Sequence, residues 1–193
     1  MPEASPPPEL TKEFVIAAHG DLKKVQAMLA SNPHLVNAGY RWSPTDVERP
    51  IQAAAQTGAK QIIELLLSKG APIDVCAVAA LGRTEQLDRI LSENPPLVRT
   101  KGAHGIPLLP HAVQSGNLET VKLALSYGAT DGTSMALQFA VARGDLEMVT
   151  FLLDRVAPDL SSKNYQGKTA LAVAREKGFK LIELALISRG AKE

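Results

Sequence analysis

The sequence predicts an all-α solenoid of six helix-turn-helix repeats joined by alternating long and short loops. Three observations predict it. First, the run Asn164-Tyr165-Gln166-Gly167-Lys168-Thr169-Ala170-Leu171-Ala172-Val173-Ala174, followed by Gly178, Leu186-Ile187 and Gly190-Ala191, reads as a turn, a slim helix, a glycine break, a second helix and a glycine stop. Gly167 suits a tight turn, and Thr169 can cap the helix that follows. Second, a glycine followed eight and nine residues later by apolar residues recurs at Gly20, Gly58, Gly82, Gly116, Gly144 and Gly178. The pairs are Met28-Leu29, Leu66-Leu67, Ile90-Leu91, Ala124-Leu125, Leu152-Leu153 and Leu186-Ile187. Third, Gly70-Ala71, Gly128-Ala129 and Gly190-Ala191 close three of the six units with the left-handed stop that glycine adopts at little cost. A unit of about 30 residues with one apolar side cannot bury that side alone, so the units must stack.

Taken in order, the chain opens with MPEASPPPEL, which is proline-rich and carries Glu3 and Glu9 without a basic residue. That composition predicts a disordered, solvated tail over 1–10 ahead of a repeat domain at 11–193, rather than a polyproline ligand. The steps between the frame glycines alternate long and short, while Gly20, Gly82 and Gly144 are evenly spaced at 62 residues, so the period is a pair of repeats. Repeats one and three share a helix exit, Asn32-Pro33-His34-Leu35-Val36 and Asn94-Pro95-Pro96-Leu97-Val98, where proline ends the second helix. Lys12, Glu13, Lys23 and Lys24 at one end and Arg175, Lys177, Lys180 and Glu183 at the other put charge where an interior repeat would meet a neighbour. Both ends are therefore expected to be capped and the protein complete, with Arg189 suiting the carboxyl end of the last helix.

These units resemble the ankyrin repeat family, whose pattern is G-x-T-P-L-H-x-A-A-x-x-G-x-x-x-x-V-x-x-L-L-x-x-G-A over about 33 residues. The nearest matches to its first part are Gly167-Lys168-Thr169-Ala170-Leu171 and Arg49-Pro50-Ile51-Gln52-Ala53-Ala54, and the resemblance runs over residues 11–193 as six degenerate repeats of a bacterial-type, single-domain ankyrin protein. The family histidine is replaced by Gln52, Cys76, Pro110, Gln138 and Ala172 in repeats two to six, and of these only the glutamines can supply its hydrogen bonds. The resemblance implies β-hairpin fingers after the long steps, at about 36–49, 98–106 and 160–168, and none at the short steps through Ala71-Pro72-Ile73-Asp74 and Ala129-Thr130-Asp131-Gly132-Thr133.

Composition narrows the function. Hydrophobic residues make up 45%, aromatics only 4%, and the net charge is +1, which argues against nucleic acid as the main partner. The single cysteine, Cys76, excludes an intramolecular disulfide. The start of the chain lacks the regions of a signal peptide, and no apolar run approaches the roughly 18–20 residues that span a bilayer. A cytoplasmic monomer without membrane contact is expected.

No catalytic, cofactor-binding or metal-binding residue is assigned. Gly167-Lys168-Thr169 copies the end of a phosphate-binding loop, but Ser162 stands where that loop needs its first glycine. His19, His34, His104, His111 and Cys76 show no metal-ligand spacing, and Cys76 falls on an inward helix position. No local signature of an activated nucleophile is present. The expected function is non-catalytic binding of another protein. The alternatives are an inhibitor or immunity-type protein that occludes an enzyme or toxin, and an enzyme with a site assembled from distant residues. A cluster of acidic and histidine side chains in the concave groove would favour the last.

The resemblance places the partner surface on the concave side. It assigns Tyr40, Arg41, Trp42, Lys101, His104, Lys163 and Tyr165 to the fingers, and Ala53, Ala77, His111, Phe139 and Val173 to groove-facing positions of the first helices. Gln56, Gln114 and Arg143 supply a polar rim. Trp42 either joins that surface or folds back on its own loop, and Phe139 either anchors a partner or packs across the gap between fingers. On this frame Trp42→Ala should weaken binding with little effect on stability, and Gly116→Val should cost more stability than Gly102→Val.

Overall fold

The computed structural model describes residues 6–192. Its inner helices are α1 (Pro8–Ala18), α3 (Pro50–Thr57), α5 (Val75–Leu81), α7 (Leu108–Gln114), α9 (Thr133–Arg143) and α11 (Ala170–Glu176). Its outer helices are α2 (Leu22–Ser31), α4 (Lys60–Ser68), α6 (Thr84–Glu93), α8 (Leu118–Ser126), α10 (Leu146–Arg155) and α12 (Lys180–Ser188). Each inner helix packs on the next along the whole stack, from α1 on α3 to α9 on α11. Alanine makes this close stacking possible: Ala53, Ala54, Ala79, Ala80, Ala112, Ala140 and Ala174 are all buried. Leucine and isoleucine of the outer helices, such as Ile63, Leu66, Leu87, Leu91 and Leu152, fill the layer between the two rows, each stabilising by about 2 kcal/mol.

The outer helices associate in pairs, α2 with α4, α6 with α8 and α10 with α12, across the long steps. This is the physical form of the paired period. The apolar interior divides likewise into two clusters that meet on α5, where Ala77 and Ala80 face the amino-terminal one and Val75, Cys76, Val78 and Ala79 face the other. Five of the six frame glycines adopt left-handed backbone and Gly20 does not. At Gly144 (φ 72°) the need is doubled, because a Cβ there would lie 2.9 Å from the Phe179 ring.

Two expectations need correction. The first five residues of the expected tail lie outside the described residues, but Pro8, Glu9 and Leu10 already form the first turn of α1. Proline there is preset to helical φ, and Glu9 faces the positive helix end. At the other end the cap is only partly charged, since α12 exposes Leu181, Leu184 and Ile187 alongside Lys180. No helix among the described residues is long and apolar enough to cross a membrane.

Candidate functional site

Three fingers project where the long steps fall. The first is a hairpin of β1 (Tyr40–Ser43) and β2 (Asp46–Glu48), with Tyr40 opposite Glu48 and Arg41 opposite Val47. The second is pinched by a bridge between Lys101 and Pro107 and by the Gly102 N–H donating to Ile106 O at 2.8 Å. The third closes with a bridge between Lys163 and Thr169, and its turn is held by Asn164 Oδ1, which accepts from the Gln166 and Lys168 N–H groups. Gln138 fills the role of the family histidine here, donating from Nε2 to Ser162 O at 2.9 Å and to Lys168 O at 3.4 Å. Thr169 caps α11 through the Ala172 N–H, as its sequence position requires.

Between the second and third fingers lies a groove of about 580 Å³. Its walls are His104 and Ile106 on one side and Ser162, Lys163, Asn164 and Tyr165 on the other; its floor is Met135, Phe139 and Ala142 of α9, flanked by Gln56, Gln114 and Gln138. The groove exists because the short step into α9 has no finger, so the amino-terminal half of that helix is left uncovered. Tyr165 stands at the finger tip, 95% exposed, and Met135 is also exposed. Phe139 lines the groove while packing, partly buried, on the larger apolar cluster.

Of the residues singled out in the sequence, His104, Phe139, Lys163 and Tyr165 meet at this groove, together with the rim residues Gln56 and Gln114. Lys101 is exposed at the base of the second finger, and Arg143 is exposed at the end of α9 with its guanidinium beside Gly116; neither lines the groove. Tyr40, Arg41 and Trp42 form a separate group on the first finger. Arg41 curls back to donate to Pro44 O at 2.8 Å, the Tyr40 and Trp42 rings meet edge-on at 4.8 Å, and the Lys12 ammonium lies 5.7 Å from the Tyr40 ring centre. Trp42 folds back on its own hairpin, its Nε1–H donating to Glu48 Oε2 at 2.7 Å.

His111 is not a surface residue. It is fully buried, with Nδ1 3.2 Å from Ala55 O. Ala53, Ala77 and Val173 are buried as well. Each inner helix is gripped by a neighbour on both sides, so the position assigned to the groove faces the next helix. The open strip lies three residues further on, at Gln56, Gln114 and Ala142. Burial holds the His111 imidazole below its ordinary 6.5, partly offset by the Ala55 carbonyl and the Asp74 charge. The unfolded chain therefore takes up this proton at a higher pH than the folded one, so the contribution of His111 to stability is intact above about pH 6.5 and is lost as pH falls below it. Urea unfolding of wild type and His111→Gln at about pH 7 and about pH 5 should show the wild type losing more stability on acidification. Equal losses would mean that His111 is protonated in the folded state. Cys76 is fully buried, and burial pushes its thiol well above the usual range, which removes it as a nucleophile.

Beside the groove lies a group that sequence reading missed. The Glu48 carboxylate is fully buried, with His19 Nε2 3.3 Å from Oε1 and His104 Nε2 3.4 Å from Oε2. Asp46 Oδ2 lies 2.7 Å from His104 Nδ1. Its members are 29 and 56 residues apart in the chain, so no local spacing could have signalled it.

A family description for ankyrin repeats, in three copies, matches residues 109–192. The regulatory protein NPR4 of Arabidopsis thaliana is 29% identical over 141 residues, which is 72% of this chain and 24% of that protein. The BTB/POZ domain and ankyrin repeat-containing protein NPR1 of Oryza sativa subsp. indica is 32% identical over 82 residues, 42% of this chain and 14% of that protein, and the same holds for that of subsp. japonica. The chain thus spans no more than about a quarter of the length of the curated relatives it matches.

Proposed function

This chain is an ankyrin-repeat solenoid, and from that premise we propose that it binds a segment of another protein in the groove between its second and third fingers. The observation that carries the reading is the meeting of an open apolar floor, the exposed Met135 and the half-buried Phe139, with an aromatic finger tip, Tyr165, and a rim of glutamines. Aromatic side chains in a partly desolvated cleft tend to dominate binding energy, while a polar rim fixes orientation. The segment that fits presents one or two apolar side chains to the floor and hydrogen-bonding groups to Gln56 and Gln114.

Affinity capture with the wild-type chain, followed by titration of the recovered protein, is the test. Tyr165→Ala should weaken binding by about 2 kcal/mol, roughly 30-fold, without changing the melting temperature, because the side chain touches little of its own fold. Phe139→Glu should weaken it at least as much by placing a charge on the apolar floor. Lys122→Ala, on the outer helix α8 where its ammonium pairs with Glu119, should do nothing. Binding that survives both groove substitutions and fails with Lys122→Ala would move the partner to the convex side. Recovery of one stoichiometric enzyme would favour the inhibitor reading of the same surface.

A second reading, an enzyme assembled from distant residues, has one observation in its favour, the cluster of His19, Glu48 and His104 beside the groove. Ankyrin-repeat proteins are in general non-enzymatic interaction modules, and the catalytic reading ranks second.

A further inference from the structure

We propose that His19, Glu48 and His104 bind one divalent transition-metal ion, Zn²⁺ by the nature of the donors, and that the ion ties the end of α1 to the first and second fingers. The three ligand atoms come from three elements and lie within 4.8 Å of one another. His19 Nε2 lies 3.3 Å from Glu48 Oε1 and His104 Nε2 lies 3.4 Å from Glu48 Oε2, so each carboxylate oxygen faces one imidazole, at a separation close to the ligand-to-ligand edge of about 3.3–3.4 Å that bonds of 2.0–2.1 Å impose on a tetrahedral ion. The donor set, two imidazole nitrogens and one carboxylate with a fourth position open, is one that zinc accepts.

The orientation of the two imidazoles points the same way. His19 Nδ1 lies 3.0 Å from Val15 O, a carbonyl that can only accept, so Nδ1 carries a proton and Nε2 is the atom turned toward Glu48. His104 Nδ1 lies 2.7 Å from Asp46 Oδ2, a carboxylate oxygen to which its N–H donates, so Nε2 is the atom that faces the cluster. A metal-bound histidine whose other nitrogen donates to a carbonyl or carboxylate is the usual arrangement around such ions, because it fixes the ring and strengthens the ligand. Without a metal ion, each Nε2 has to carry its own proton to face the carboxylate.

The carboxylate is the independent observation. Glu48 is fully buried; Trp42 satisfies Oε2, while Oε1 accepts no hydrogen bond of good geometry. A buried carboxylate oxygen without a donor is costly unless a positive charge meets it. His104 also holds its backbone at φ 55°, a left-handed conformation that a side chain makes unfavourable, and this turn is what brings its ring back over the first finger.

The test uses the full chain freed of metal with a chelator. Zn²⁺ is titrated in by calorimetry, and the fluorescence of Trp42, the protein's one tryptophan, serves as a local reporter, since its indole is bonded to the proposed ligand. The expected result is one equivalent of Zn²⁺ bound, a change in Trp42 emission and a higher melting temperature, all reversed by chelator. His19→Asn and His104→Asn should each reduce affinity at least about 10-fold, and Asp46→Asn, acting through His104, should reduce it by about 10-fold. Circular dichroism checks that each variant is folded, and Tyr165→Ala, which changes only the groove, should bind Zn²⁺ as wild type does. No saturable binding, or equal binding by wild type and both histidine variants, would overturn the proposal and leave the two imidazoles as a protonated clamp on Glu48.

Discussion

Gly102→Val is expected to destabilise the protein by about 3 kcal/mol and to do more damage than Gly116→Val. The reason is what stands next to each glycine. A Cβ on Gly102 would lie 2.6 Å from His111 Nε2 and 3.2 Å from His111 Cε1, with Cys76 Sγ behind at 3.6 Å. His111 is fully buried and tied to Ala55 O, so its ring cannot withdraw without breaking that bond. At Gly116 the Cβ would meet Arg143 Nη2 at 2.7 Å, but this is the mobile end of an exposed side chain and can swing away. What remains there is the left-handed backbone, φ 66°, which a β-branched residue adopts at a cost of roughly 1–3 kcal/mol. Sequence frame alone gives the opposite order, because it treats Gly102 as an exposed finger residue and Gly116 as a helix break. Urea unfolding of the two variants decides between them, and Gly102→Val proving no less stable than Gly116→Val would show that the second finger is not pressed on α7.

What could be read from the chain was local. A glycine between two short helices, a proline exit and a threonine three residues before a helical N–H leave marks within a few residues, and Gly82, Pro95 and Thr169 sit where those marks put them. Gln138 as a substitute for the family histidine was legible for the same reason, since its position in the repeat fixes which carbonyls it can reach. The groove was half legible. Tyr165 and His104 follow from finger length, whereas Met135 is exposed only because a finger is absent over α9. The polar cluster around the buried Glu48 was not legible at all. It requires the end of α1, a strand of the first finger and the tip of the second to converge, and nothing within any one of those segments encodes the others. His111 failed for a related reason, because one turn of helix separates the face that meets the next repeat from the face that meets solvent.

Trp42→Ala is expected to cost about 3 kcal/mol of stability, with Trp42→Phe losing about 1–2 kcal/mol, so that a substitution chosen to test binding tests the fold first. The indole is 38% exposed, so its apolar burial is partial and the cost of its removal falls near the low end for a large aromatic. Its edge-on contact with Tyr40 and its packing 6.2 Å from His104 add to that loss in the alanine variant and persist in part with phenylalanine. Phenylalanine keeps a ring but not the N–H, and so isolates the bond to Glu48 Oε2. With Glu48 buried and Oε1 already lacking a good donor, losing the indole leaves both carboxylate oxygens poorly satisfied, which is where most of the phenylalanine variant's penalty arises. Thermal unfolding of the three proteins gives the comparison. A Trp42→Phe protein as stable as wild type would mean that the indole bond contributes nothing and that Glu48 is held by the histidines alone. If instead the graded loss is seen, any fall in partner binding by Trp42→Ala has to be measured well below its melting temperature, and Tyr165, which has almost no contacts to lose, becomes the cleaner probe of the groove.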